Sequence, residues 1–196
     1  MSESVLDKVR GFLFSPTLSF RKARDEEAKE TLTYLITLSV FYAIMSTLLT
    51  ALNVFVHPFA GLSFIPPGPA VEPLLIVSWI FVILVFTLVM AVIFGLWLHI
   101  FVYLVGGRKG IWQTEKSVFY NLTPTFVLGW IPAIGPLVGG IWSVVIGVIG
   151  IRELHNIPDT KAALAVILAV VIASVIAVIV LGAMLYAVVT SLSMTA

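Results

Sequence analysis

A run of about 32 residues, Leu74 to Val105, contains no Asp, Glu, Lys or Arg. As a helix it would measure about 48 Å, against a bilayer hydrocarbon core of about 30 Å. A chain of 196 residues is too small to surround a helix that is apolar on every side, so lipid must be part of its solvent. The composition agrees: 60% of residues are hydrophobic and 11% charged, where a soluble domain carries about 25% charged residues. Such a long helix must tilt, protrude or kink, with Gly95 the candidate for a kink, and Gly106-Gly107 ends it.

The other apolar runs complete the architecture. The first spans Leu32 to Val56 and is followed by a segment with His57-Pro58, Pro66-Pro67 and Pro69, which cannot be regular helix. A third run, Ser117 to Trp130, is short and carries Pro124. The Ile131–Pro136 turn leads into a fourth that ends near Ile151, and the last runs from Ala162 to about Leu192. These runs predict an all-α polytopic bundle of five transmembrane helices, with the third and fourth short enough to form a re-entrant hairpin instead. Residues 1–31 would be a cytosolic amphipathic segment and 32–196 the transmembrane domain. The first apolar run follows a charged segment and is too long for a signal peptide's core, so it reads as a retained span.

Within the segment 1–31, Val5, Leu6, Val9, Phe12 and Leu13 share one face of a helix, and Ser15-Pro16 reads as the start of a second. Two short amphipathic helices beside a span are expected in the headgroup plane; a solvated tail is the alternative. All eleven basic residues fall in 1–31, in the 106–116 region (Arg108, Lys109, Lys116) or around 152–161 (Arg152, Lys161). None lies in 57–73, in the 131–136 turn or in the C-terminal tail. Basic residues mark cytoplasmic loops, so the N-terminus is placed in the cytoplasm and the C-terminus outside, in the cell membrane if the host is prokaryotic.

No span core holds an acid, a lysine or an arginine, which counts against an ion-coupled transporter. With no cysteine, thiol and disulfide chemistry is excluded, and His57, His99 and His155 lack metal-ligand spacing. Asn121-Leu122-Thr123 matches a glycosylation sequon, but Pro124 follows it and the charge argument puts it on the wrong side. No phosphate loop, nucleophile elbow or nucleophile–base pair is present, so the chain reads as a non-enzyme without cofactor, metal or nucleic-acid partner.

The candidate intramembrane polar site is His99 with Tyr103, Tyr120, Asn121 and Thr123. His99 lies on a stripe of mostly small residues (Thr87, Ala91, Gly95, Tyr103), which turns it inward to bond a neighbouring helix, either as a structural histidine or in gating or ligand contact. Arg108, Lys109, Arg152, His155 and Lys161 are candidate contacts to headgroups or a partner, or else serve topology alone. Gly135, Gly139, Ser143 and Gly147 recur every fourth residue, and Ala165, Ala169, Ala173 and Ala177 repeat the spacing in the last run. These stripes predict close packing of the fourth and fifth spans, on each other or in a homodimer.

The order of features is distinctive. Phe14-Ser15-Pro16 and Phe20 precede a His-bearing span ending in Gly106-Gly107. Tyr120 and Pro124 follow, then Ile131-Pro132-Ala133-Ile134-Gly135, then a Trp142-led helix closing in Ile149-Gly150-Ile151-Arg152-Glu153-Leu154-His155, and Lys161-Ala162-Ala163-Leu164 opens the last span. This resembles the Yip1 domain family over nearly the whole chain. The resemblance implies five transmembrane helices, a cytosolic N-terminus and no catalytic residues. Similar eukaryotic proteins sit in secretory-pathway membranes, bind Rab-type GTPases and form complexes with one another; the short N-terminal segment here is like bacterial or archaeal members. The expected role is a membrane-organising scaffold that binds lipids and another membrane-associated protein, self-association included. A passive channel, transporter or scramblase-like lipid handler is the alternative, motivated by the short Pro124-bearing helix.

Overall fold

A computed structural model describes residues 4–51 and 73–194, and among them every regular element is a helix. The proline-containing loop and His57 lie outside the described residues. In chain order the helices are α1 (Val5–Phe14), α2 (Pro16–Ala23), α3 (Ala28–Ala51), α4 (Pro73–Leu104), α5 (Ile111–Asn121), α6 (Thr123–Leu128), α7 (Ile134–His155) and α8 (Asp159–Met194). The molecule is an all-α polytopic membrane bundle.

Four described helices are long and apolar enough to cross a bilayer: α3, α4, α7 and α8. The expected third span is not among them. The chain breaks between α5 and α6 at Leu122, because Pro124 has no N–H to donate and is tolerated only in a first helical turn, where it sits in α6. α5 starts at Ile111, earlier than the apolar run suggests, because its polar residues are buried by the protein: Thr114 through Asn121 are all inaccessible. The fourth run is long enough to cross a bilayer rather than short. α7 has 22 residues, about 33 Å. Positive-φ residues bracket it, Ala133 (φ 63°) before and Asn156 (φ 53°) after, the latter left-handed, a conformation that Asn tolerates.

The fourth and fifth spans, α7 and α8, touch, but the small stripe of α7 faces other neighbours. Gly139 abuts the backbone of Pro124 and Thr125, Ser143 bonds the Thr125 hydroxyl at 2.8 Å, and Gly147 faces Asn121. The small face of α7 therefore meets α5 and α6, not α8, because a broken helix with exposed backbone can approach most closely where its neighbour has no side chains. Ala165 and Ala169 are buried, and Trp97 Nε1 of α4 donates to the Ala169 carbonyl at 3.0 Å. Ala173 is half-buried and Ala177 exposed. α4 continues through Gly95 as one helix, and the missing side chain there makes room for Glu115.

α1 and α2 share the bundle's core. Phe12 and Phe20 are buried, with Phe12 stacked on Tyr120 (centroids 4.3 Å apart, planes 14° apart) and Phe20 edge-on to Phe12 at 5.0 Å. Tyr34 of α3 closes the cluster 5.1 Å from Tyr120. The helical face read from the sequence packs inward at Phe12 and partly at Val5, Val9 and Leu13, whereas Leu6, expected on the same face, is exposed.

Candidate functional site

Three polar clusters occupy the end of the bundle where α2 ends and α5 begins. The first anchors the N-terminal helices. Lys116, 1% exposed, directs its ammonium into the carbonyls of Ala23, Arg24 and Glu26, each at 2.9 Å. These carbonyls close α2, whose C-terminus carries partial negative charge, so a buried cation there compensates both the orphan acceptors and the dipole. Burial pulls the Lys116 pKa down, and the nearby Glu26 and Asp25 carboxylates pull against it. Glu26 also pairs with Lys8 at 2.8 Å and accepts from the Tyr120 hydroxyl. Thr123 meets the Tyr34 hydroxyl at 2.9 Å and donates to the Tyr120 carbonyl at 2.6 Å.

The second cluster joins α2, α7 and α8. Glu153 receives Arg21 at 3.0 Å and Arg152 at 2.8 Å, and Arg152 reaches Asp159 and the Thr17 hydroxyl, each at 3.1 Å. Arg24 donates to the Glu153 carbonyl and to Asn156. Trp142 Nε1 donates to the Leu13 carbonyl at 3.2 Å.

The third contains His99. Its partner is Thr114, with Nδ1 2.7 Å from Oγ1, and not Tyr120, Asn121 or Thr123. Thr114 Oγ1 also lies 3.0 Å from His155 Nε2, and the Lys109 backbone N–H points at His155 Nδ1 over 3.4 Å. A backbone N–H can only donate, so His155 Nδ1 is the acceptor and its proton sits on Nε2. Thr114 then accepts from His155 and donates to His99 Nδ1, which fixes the second tautomer as well. Beside this chain lies Glu115, 6% exposed, with both carboxylate oxygens buried and without a hydrogen-bond partner, packed over Gly95.

The expected polar site therefore divides. Tyr120 and Thr123 belong to the N-terminal anchor, Asn121 fills the space opposite Gly147, and Tyr103 is exposed beneath the Arg108 guanidinium (3.8 Å from its ring centroid). Of the expected headgroup contacts, His155 is buried and Arg152 is engaged with acids, while Arg108, Lys109 and Lys161 are exposed. Sequence reasoning missed Thr114, Glu115 and Glu26. The available signal was Glu115-Lys116, a charged pair directly abutting an apolar run.

Burial raises the Glu115 pKa from 4.5 to about 7. The folded chain thus holds a proton there that the unfolded chain has lost, and stability present below about pH 4.5 drains away as pH rises to and through 7. The loss is about 3 kcal/mol at about 1.4 kcal/mol per pKa unit. Glu115→Gln, neutral at every pH, should remove that slope. Melting wild type and E115Q in detergent at pH 5 and pH 8 checks it; equal slopes would refute it.

A bundle of apolar spans, closed at one end by its own N-terminal helices and polar clusters, defines a multi-pass membrane protein that meets lipid along its sides. The chain belongs to the Yip1 domain family, whose family model matches residues 10–193. That family is one of non-enzymatic membrane proteins. No curated protein and no solved structure matches the chain.

Proposed function

We propose that this protein is a non-enzymatic membrane-organising scaffold that recruits a membrane-associated partner through the outer face of α1 and α2. The observation that supports it is how that helix pair is held. Phe12, Phe20, Lys8 and Lys116 fasten it to the bundle, while Leu6 and Phe14 of α1 stand 78% and 79% exposed, and Leu18 of α2 is exposed as well. A rigid ridge carrying apolar side chains on either side of Arg10 is suited to docking, because little conformational entropy is lost on binding. The basic residues of α1–α2, the α4–α5 loop and the facing ends of α7 and α8 gather at one end of the bundle, which the charge rule assigns to the cytoplasm.

The conduit or lipid-handling reading rested on polar groups along a broken helix. Thr114, Thr123 and Thr125 are spent on internal hydrogen bonds and Asn121 on packing, which favours the scaffold. Crosslinking in native membranes followed by mass spectrometry tests it with Leu6→Asp/Phe14→Asp. A stoichiometric partner of wild type, a second copy of the chain being one candidate, should fall at least tenfold in a variant that melts normally. Undiminished capture would sink the reading. Removing residues 1–30 is the wrong test, since it strips the core.

A further inference from the structure

The α4–α5 loop and the α7–α8 turn, 46 residues apart at Lys109 and His155, meet through that backbone contact. Around them three exposed cations converge. Arg108 folds onto the Tyr103 ring and donates through Nη1 to the Tyr103 and Gly107 carbonyls, leaving Nε and Nη2 uncommitted. The Lys161 ammonium comes within 3.9 Å of the position a side chain would take at Gly106, where φ is +103° and glycine leaves the turn open. Lys109, exposed, follows Arg108 in the same loop. No ion pair is formed by any of the three among the described residues, and the acid on the same turn as Lys161, Asp159, is held by Arg152 at 3.1 Å.

The surface just inside this patch is apolar. Ile100 and Leu104 continue down α4 one turn apart and are exposed, Leu104 to 74%. Leu164 and Leu168, exposed, extend the Lys161 face of α8, and Trp97 joins the two helices a few turns further in. Both helices are spans, so the cations sit where a span leaves the hydrocarbon and headgroups begin.

We propose that Arg108, Lys109 and Lys161 bind the phosphate of an anionic membrane lipid, whose acyl chains lie along the outer seam of α4 and α8. The three charges answer the phosphate, and Arg108 offers it a planar fork already fixed by the Tyr103 ring. The apolar seam distinguishes a lipid from a free phosphate, which would gain nothing below the loop. The site is separate from the α1–α2 ridge.

The test titrates the purified full chain in detergent with phosphatidylglycerol, phosphatidylcholine and inorganic phosphate, read by native mass spectrometry. Phosphatidylglycerol should bind in preference to phosphatidylcholine, and millimolar inorganic phosphate should fail to displace it. Arg108→Gln/Lys109→Gln/Lys161→Gln should weaken it roughly a hundredfold, from about fivefold per cation. Lys161→Gln alone, an exposed and unpaired side chain, should cost about fivefold and stands in if the triple variant does not fold. Lys29→Gln, an exposed cation on α3, and Leu6→Asp/Phe14→Asp should both bind as wild type, which separates this site from general charge and from the scaffold reading. Equal affinity of the triple or the single variant, no preference over phosphatidylcholine, displacement by inorganic phosphate, or an equal loss in K29Q would each overturn the lipid site.

Discussion

Lys116→Met is expected to lower the melting temperature in detergent by about 10 °C and to release the N-terminal helices. Methionine matches the length of the lysine stem but leaves the carbonyls of Ala23, Arg24 and Glu26 without the donor each meets at 2.9 Å. A buried acceptor stripped of its partner costs about 1–3 kcal/mol, and the relief of no longer burying an ammonium offsets part of three such losses. A net of about 3 kcal/mol, at roughly 2–4 °C per kcal/mol for a chain of this size, gives the expected shift. Protease cleavage within residues 1–27 should appear in the variant while the spans stay intact. A melt within two or three degrees of wild type, with the segment still protected, would show that the lysine merely fills space.

The second large effect contrasts adjacent glycines. A side chain at Gly139 would meet the Pro124 carbonyl oxygen at 3.0 Å and the Thr125 Cα at 3.1 Å, both backbone atoms that cannot swing aside. Nothing lies within 4 Å of the same position at Gly140. Gly139→Leu should therefore force α7 away from α6 and cost about 3 kcal/mol or more, through overpacking and the lost Thr125–Ser143 contact. Gly140→Leu gains helix propensity and points into open space, so it should melt at or above wild type. Equal destabilisation by the two would refute the packing of α7 on α6. Loss in Gly140→Leu alone would point to a partner on that face.

Much of the fold could be read from the chain, because the membrane simplifies it: apolar runs give spans, and Pro124 and Gly106-Gly107 give breaks. The order of motifs also led to the family. Span count and packing partners were harder, for different reasons. A stripe such as Gly135–Gly147 announces a close approach without naming the neighbour, and here the neighbour is the broken α5–α6 pair, not the regular α8. Thr114 and Glu115 looked like loop polarity, since their burial depends on Gly95 and His99, some twenty residues away, and on His155, forty away. His99 bonds Thr114 of α5, and helical spacing alone could not choose among the polar residues of the next element.

The docked N-terminal pair also sets an order of events during synthesis. Phe12 stacks on Tyr120, and Arg21 pairs with Glu153 across 132 positions of chain. A ribosome must deliver more than half of this chain before α1 and α2 meet Lys116 and Tyr120, and more than three quarters before Glu153 can complete their docking. Until then their apolar faces wait at the membrane surface, and the amphipathic pattern that marks them as interfacial helices keeps them soluble in the headgroup layer. The same residues thus serve two successive environments, the lipid interface for the nascent chain and the protein core for the finished one. Sealing the bundle is a late step, taken only after α7 has been inserted.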